Sequence, residues 1–451
     1  MSTTAANSGR QGGRLSLGAG ALPDGLNAEN LVVIRDYHEA HHVLRNPKVG
    51  PTPGSLEVPI VGGNVNKLDG REHVRRRRAL SRAFKPQALA WYKEHVTLPA
   101  MRRNIASAFA NVAPDEPART DLVPLLHRAL MESAVNLMGL STAEDITEEQ
   151  LDDLIELYPV LDRAREVRYT AMDDDERTAA VERAVGAKCR YAERHFEPAM
   201  CAVRERFGDE APPADLEQGW DVVLSIVSKQ LDPAYAEDPE LGLRETIFLL
   251  GAAIETTTQT TTNVINELEG WVAAHPEDAD RVTDDAFLAD AVAETLRLRG
   301  HEAPGDVERP PTLAVIRVAK EDITLSSGRE IKQGQWIIVN LHEANMDSTV
   351  FGSDADQFNP RREVPENVPR YGIAFGHGPH YCIGLPMVIG EAGTDGSVAQ
   401  IAKVLFEAGV KLDRTGTPRW EDRMIKLKWE SVPVLLTRRP DWLIAAAPPT
   451  R

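Results

Sequence analysis

Cys382 lies in FGHGPHYCIG (Phe375 to Gly384), where Gly376, Gly378, Gly384, His377 and His380 crowd around a single thiol. No C-x-x-C, no C-x-x-C-H and no nearby pair of zinc ligands accompanies it. A lone cysteine can serve as a nucleophile, or as a thiolate ligand to a metal carried by a cofactor. Glycines allow tight turns with positive φ and let backbone N–H groups approach the sulfur closely. Such donors, with a helix starting after Gly384 where Pro386 suits the first turn, stabilise a thiolate. Hydrogen bonds to a ligating sulfur also set how much electron density it passes to a metal. Hydrolase elbows, P-loops and dinucleotide fingerprints are absent.

A second candidate is the acid–alcohol pair Glu255-Thr256 in IFLLGAAIETTTQTTTNVI. A carboxylate in so apolar a helix needs a partner or a function. Threonine fills every position from 256 to 262 except Gln259, a poor helix composition that buried packing must offset. Several of these hydroxyls are expected to bond back to carbonyls one turn earlier.

The elements that must position these residues follow from periodicity and turn chemistry. Residues 1–27, rich in Gly, Ser and Ala, read as a flexible tail. LVVIRD (31–36) reads as a strand, YHEAHHVLRNP as a helix stopped by its proline, and 48–70 as a long Gly/Pro loop. A helical body spans about 71–305, and β-branched alternation marks 311–341 and SVPVLLTRR as strands. The fold class is therefore mainly α with a smaller β-rich part, in one domain over 28–451. Cys189 and Cys201 fall on helix faces at a spacing that matches no metal or redox motif, and a structural role is expected for them.

The 451 residues carry a net charge of −18, which argues against nucleic-acid binding. No stretch of apolar residues is long enough for a membrane span or a secretory leader, and three cysteines fit a reducing cytoplasm. The basic exception is REHVRRRRALSRAFK (71–85), which on charge alone reads as a solvated helix face.

Phe375, Gly378, Cys382 and Gly384 form F-x-x-G-x-x-x-C-x-G, and here the chain resembles the cytochrome P-450 haem-thiolate monooxygenases. Glu294 and Arg297 in AVAETLRLRG match the family's E-x-x-R, and FNPRR supplies Arg362. The resemblance implies a buried Glu294–Arg297–Arg362 network that braces the cysteine side. It implies haem b between a long central helix and the cysteine loop, with Cys382 as axial thiolate and Phe375 shielding the sulfur. His73, Arg77, Arg317 and His380 would meet the propionates, with Gly376 and Gly384 shaping the loop. Glu255-Thr256 would be the catalytic acid–alcohol pair, with Ala253 standing where family members usually have glycine.

The reaction implied is insertion of one oxygen atom from O2 into a small organic substrate. No flavin or nicotinamide fingerprint is visible, so a separate ferredoxin or flavodoxin would supply electrons, docking near Arg75, Arg76, Arg78 and Arg82. Alternatives within the resemblance are peroxide-driven or non-oxygenating oxidation, and a non-catalytic haem-binding protein. Substrate-lining residues are expected from 50–70, 160–200, 250–257 and 311–316, while Arg163, Arg165 and Arg168 read as solvent-facing. Three stretches depart from the family: the short run before LVVIRDYHEAHHVLRNP, where the family's first helix and leading strand are expected to be missing or replaced by the tail; the glycine-broken segment with Gly390, Gly393 and Gly396, where a bulge, loop or restarted helix is expected; and the acidic, Pro-rich HEAPGDVERPPT.

Overall fold

A computed structural model describes residues 30–52, 58–141, 146–164, 173–208, 221–228, 231–304, 313–390, 395–423 and 426–445. The expected tail, Arg165, Arg168, residues 305–312 of the acidic stretch and 391–394 of the glycine-rich segment lie outside them.

The β-rich part centres on a four-stranded sheet of β1 (Leu31–Ile34), β2 (Val49–Pro51), β4 (Ala314–Ala319) and β7 (Trp336–Asn340), ordered β1-β7-β4-β2. β1 runs parallel to β7, with Leu31 opposite Trp336, and the other pairs are antiparallel. WIIVN of β7 is buried at every position, as a β-branched central strand should be. β5 (Ile323–Thr324) and β6 (Glu330–Ile331) form a small neighbouring ladder. The helix Tyr37–Arg45, capped by Asp36 accepting from the Glu39 N–H at 2.8 Å, packs on this sheet through Tyr37, Ala40 and Val43. The expected loop at 48–70 is more ordered than its composition suggests, holding β2, a short helix Val58–Val61 and a 3₁₀ turn at Val65–Lys67.

The helical body is built around one long helix, Leu241–Ala274, of 34 residues. At 1.5 Å per residue it runs about 50 Å. The helices Leu122–Met138 and Asp285–Arg299 lie against it. Its apolar residues and those of Leu122–Met138 join one extended core. Gly242 marks a tight crossing, since a Cβ there would sit 2.5 Å from Ile226.

The stretch before it is helical as expected. It runs from Asp174 to Tyr191, through a π-turn at Ala192–Phe196, into Glu197–Phe207. Cys189 and Cys201 are exposed, so the structural role expected for them does not hold: neither fills a core position.

Of two further sheets only β11, within SVPVLLTRR, was expected as a strand. β3 (Ala118–Asp121), within a region read as helical, pairs with β11 (Pro433–Leu436), which pairs in turn with β8 (Val410–Leu412). β9 (Arg419–Arg423) and β10 (Lys426–Ser431) form an antiparallel hairpin, and their charge-rich composition hides the alternation. The glycine-broken segment is a restarted helix: Leu385–Ile389 stops at Gly390 (φ 84°), and a second helix runs Ser397–Glu407. The two approach closely, because a Cβ on Gly396 would lie 2.2 Å from the Val388 carbonyl oxygen, and Ser397 Oγ donates to Met387 O at 2.7 Å. Among the described residues no helix is long and apolar enough to cross a membrane.

Candidate active site

The cysteine loop is closed by Cys382 N–H donating to Phe375 O at 2.9 Å. Gly376 (φ 69°) and Gly378 (φ 72°) take left-handed backbone, as their positions require. Gly378 also lets the loop rest on the end of the helix Tyr37–Arg45, since a Cβ would meet Leu44 O at 2.4 Å. Gly384 differs from expectation: its φ is −81°, and it helps by nearness, a Cβ there lying 3.7 Å from Cys382 Sγ. The backbone N–H groups of Gly384 and Leu385 lie near the sulfur and favour its thiolate, and the Leu385 N–H also donates to Cys382 O at 3.4 Å. The Cys382 side chain is open on one side, yet the protein packed around it desolvates the thiol and pushes it above its ordinary value, while those N–H groups and Arg77 pull it back. Phe375 is half-buried and meets Tyr371 edge-on at 5.2 Å.

Beside the loop lies a cluster of cationic and titratable groups drawn from three elements. His73 and Arg77 come from the basic helix Gly70–Leu80, Arg317 from β4 and His380 from the loop itself. His73 and His380 stack with centroids 4.0 Å apart, and the Arg77 guanidinium lies 4.2 Å from the Tyr381 ring centre. Burial pushes His380 down to about 4, with His73, Arg317 and Arg77 adding to the effect. Burial alone lowers Arg317 to about 10. Among the described residues the acid acting on this cluster is Asp69, which is itself paired with Lys320 Nζ at 2.6 Å. His380 Nε2 is buried with no hydrogen-bond partner. Donors buried without matching acceptors suit carboxylates brought by a bound group, so the residues present fit haem propionates. A second imidazole stack, His41 on His377 at 3.6 Å, flanks the other side of the loop and carried no sequence signal of its own.

On the central helix, Phe248, Ala252, Ala253 and Thr256 are the partly accessible positions of the otherwise buried stretch 245–265, and their spacing places them on one face. Thr256 Oγ1 donates to Ala252 O at 2.8 Å, as expected of a helical threonine. Glu255 is buried and has partners the sequence did not disclose. Lys428 Nζ lies 2.6 Å from its Oε2, the Tyr158 hydroxyl donates to the same oxygen at 3.3 Å, and Gln259 donates to Oε1 at 2.9 Å. Glu255, Gln259 and Asn263, four residues apart, form a polar stripe that receives β10. Gln259 bonds both the N–H and the carbonyl of Trp429, and Asn263 Oδ1 accepts from Trp429 Nε1 at 2.8 Å. The E-x-x-x-Q-x-x-x-N spacing was the available signal for this stripe, masked by the threonines around it.

Glu294, Arg297 and Arg362 are brought together and buried. Arg297 grips both Glu294 oxygens, at 2.8 and 2.7 Å, and Arg362 Nε reaches Oε1 at 3.0 Å. The remaining guanidinium donors serve the carbonyls of Phe351, Asp354, Ala355, Gln357 and Asn345. Arg76, expected at a docking surface, is instead 1% exposed. It pairs with Asp232 at 2.8 Å and Glu245 at 3.3 Å beneath the Tyr235 ring, tying the basic helix to the start of the central one. Arg75 and Arg78 are exposed and Arg82 is half-buried.

The model of the family "Cytochrome P450" matches residues 286–392, a stretch that contains Glu294, Arg297, Arg362 and Cys382. The chain is 26% identical over 367 residues to cytochrome P450(MEG) of Priestia megaterium, covering 80% of this chain and 76% of that one. It is 24% identical to a C-19 steroid 1alpha-hydroxylase of Sorangium cellulosum, covering 75% and 73%. CYP109E1 from Bacillus megaterium, solved with corticosterone, superposes with a TM-score of 0.65 at 16% identity, over 91% of this chain and 93% of that one. CalO2 gives 0.66 at 18% identity, over 91% and 92%. The chain thus has the cytochrome P450 fold and resembles bacterial cytochrome P450s, oxidoreductases of the monooxygenase type that bind haem b through a cysteine thiolate.

Proposed function

We propose that residues 28–451 form one haem-binding domain of a cytoplasmic monooxygenase. It inserts one atom of O2 into an apolar small organic molecule, with electrons from a separate ferredoxin- or flavodoxin-type protein. The observation that carries the site assignment is Cys382 in a loop closed by its own N–H on Phe375 O, next to the donor cluster His73, Arg77, Arg317 and His380, whose His380 Nε2 is buried without a partner. Cys382 would ligate the iron, and the cluster would hold the two propionates. When bound, the haem-thiolate group supplies reductive activation of O2 and oxygen-atom transfer.

The chain's own contributions follow from geometry. Gly384 and Leu385 N–H groups spread the sulfur's charge and so tune its donation. Phe248, Ala252 and Ala253 offer an apolar surface with little bulk, suited to a hydrocarbon skeleton. The Thr256 hydroxyl can turn from Ala252 O to donate outward, with Glu255 as the acid that restores its proton. Glu294, Arg297 and Arg362 brace the segment that carries the loop. The relatives named above include a steroid hydroxylase and a protein solved with a steroid, which supports an apolar polycyclic substrate as the first class to screen.

The test is the absorption spectrum of the reduced, CO-treated holoenzyme, with a titration by apolar ligands. A thiolate-type Soret band that disappears in Cys382→His, with haem still bound, supports the assignment. The same band in that variant overturns it.

A further inference from the structure

Aromatic rings form a circuit that leaves the cysteine loop and returns to it. Phe375, whose carbonyl accepts the Cys382 N–H, meets the Tyr371 ring edge-on at 5.2 Å. His377, two residues further along the same loop, stacks on His41 at 3.6 Å, and His41 stacks on Tyr37 at 6.1 Å. The two arms meet where the Tyr371 phenol acts electrostatically on that of Tyr37. The backbone fixes both arms. Tyr37 N–H donates to Asp347 Oδ2 at 3.4 Å and Ile373 N–H to Asn345 Oδ1 at 2.8 Å, while a Cβ on Gly372 would collide with that same Asn345 oxygen. His38, T-shaped to Tyr37 at 5.6 Å, is exposed and gives the circuit an outlet to solvent.

Charge separates these rings from others nearby. Tyr381 adjoins Cys382 and is 46% exposed, but the Arg77 guanidinium lies 4.2 Å from its ring centre. Phe351, edge-on to Tyr37 at 5.5 Å, has the Arg297 guanidinium 5.1 Å from its centre. A cation over a ring is attracted by the π electrons, so it makes the removal of one of them harder. Among the described residues no arginine lies over Tyr37 or Tyr371. Burial pushes both hydroxyls above their ordinary value, so each is a neutral phenol that sheds a proton together with any electron it gives.

We propose that Tyr371 and Tyr37 are one-electron donors to the haem site: with hydrogen peroxide as oxidant and no substrate to oxidise, their phenols supply the electrons and are left as phenoxyl radicals. The proposal rests on the reading of Cys382 as the haem ligand. The balance closes for the pair. Each phenol O–H bond that breaks releases one electron and one proton. Two of each break the O–O bond of one peroxide and leave two waters. A soluble reductant of the ascorbate class returns one electron and one proton to each phenoxyl, by way of the exposed ring of His38. Electrons drawn from this pair are not drawn from the macrocycle, so the pair protects the haem against bleaching.

The test is electron paramagnetic resonance of the substrate-free holoenzyme, frozen rapidly after mixing with hydrogen peroxide, beside the rate at which the Soret band bleaches. Wild type and Tyr381→Phe should give a tyrosyl radical signal that ascorbate removes. The signal should be lost in the double variant Tyr37→Phe with Tyr371→Phe, and its haem should bleach several-fold faster. A tyrosyl signal that persists in the double variant, or disappears in Tyr381→Phe, overturns the proposal. Should the double variant fail to take up haem, the single variants decide: each keeps one phenol and should show the hyperfine pattern of that ring alone, and two spectra identical to wild type overturn the proposal. Wild type with a thiolate-type Soret band in its CO complex but no tyrosyl radical also overturns it, and leaves the haem assignment standing. Without that band the haem assignment fails, and this proposal with it.

Discussion

Gln259 binds the backbone of Trp429 as a neighbouring strand would: its amide nitrogen donates to Trp429 O at 3.0 Å, and its oxygen accepts from Trp429 N–H at 2.7 Å. A helix side chain thus completes the edge of β10 and fixes the hairpin to the central helix. Gln259→Leu leaves two buried backbone groups of Trp429 without partners. Each such group costs about 1–3 kcal/mol, so the variant should lose roughly 2–6 kcal/mol in denaturant unfolding of the holoenzyme. An unchanged midpoint with an unchanged slope would show that the hairpin is held by its apolar contacts alone.

Asp221 caps the helix Val222–Val227, accepting the Leu224 N–H at 2.6 Å, and burial pushes its carboxyl up to about 7. The unfolded value is near the ordinary aspartate one, so between about pH 4 and pH 7 the folded chain binds the extra proton. Stability contributed by this group therefore falls as pH rises through that window and levels off above about pH 7. The whole effect has an upper bound of roughly 4 kcal/mol. Asp221→Asn keeps a capping oxygen and removes the titration. Wild type minus variant, measured by denaturant unfolding at several pH values, should slope downward from about pH 4 to pH 7; a flat difference rules the account out.

What could be read from the sequence was whatever local chemistry determines. Gly376 and Gly378 betray their backbone, and the E-x-x-R pair declares its helix. The Leu385–Ile389 helix stops at a glycine with φ 84°, as its composition foretold. What escaped depends on partners far along the chain. Lys428 is 173 positions beyond Glu255, and nothing in KLKWES marks one lysine as buried. Arg76 sits among look-alike arginines, and only the helical phase that turns it toward Asp232 and Glu245 sets it apart. β3 and β8 each have too little length to assert themselves, and they exist because both pair with β11, the strand that SVPVLLTRR announced.

Arg297 spends its guanidinium on Glu294, Asn345 O and Ala355 O, and its cation also lies 5.1 Å from the Phe351 ring centre. A lysine ammonium cannot reproduce that planar fork. Arg297→Lys should therefore cost about 3–5 kcal/mol, the usual result of breaking a buried ion pair. The loss should appear as a lower thermal midpoint and faster haem release. Haem retention equal to wild type would mean that the network does not brace the cysteine side.

The basic helix divides its arginines between two tasks, and charge variants should separate them. Arg78 is exposed beside Val74, which is 62% exposed, and the two offer a cationic surface with an apolar centre near the cysteine loop, whereas Arg75, though exposed, also pairs with the buried Asp232 at 3.3 Å. Arg78→Glu should raise the KM for an acidic ferredoxin several-fold and leave thermal and denaturant unfolding unchanged, because rim charges act mainly on association. The wild-type KM should rise with salt and that of the variant should rise less, since screening removes an attraction the variant already lacks. Arg76→Met should behave oppositely. It leaves Glu245 unpaired in the core and Asp232 with Arg75 alone, and lowers stability by roughly 3–5 kcal/mol, with no selective effect on the electron donor. Steady-state reduction kinetics on the two variants, beside their melting curves, tell a docking arginine from a buried one.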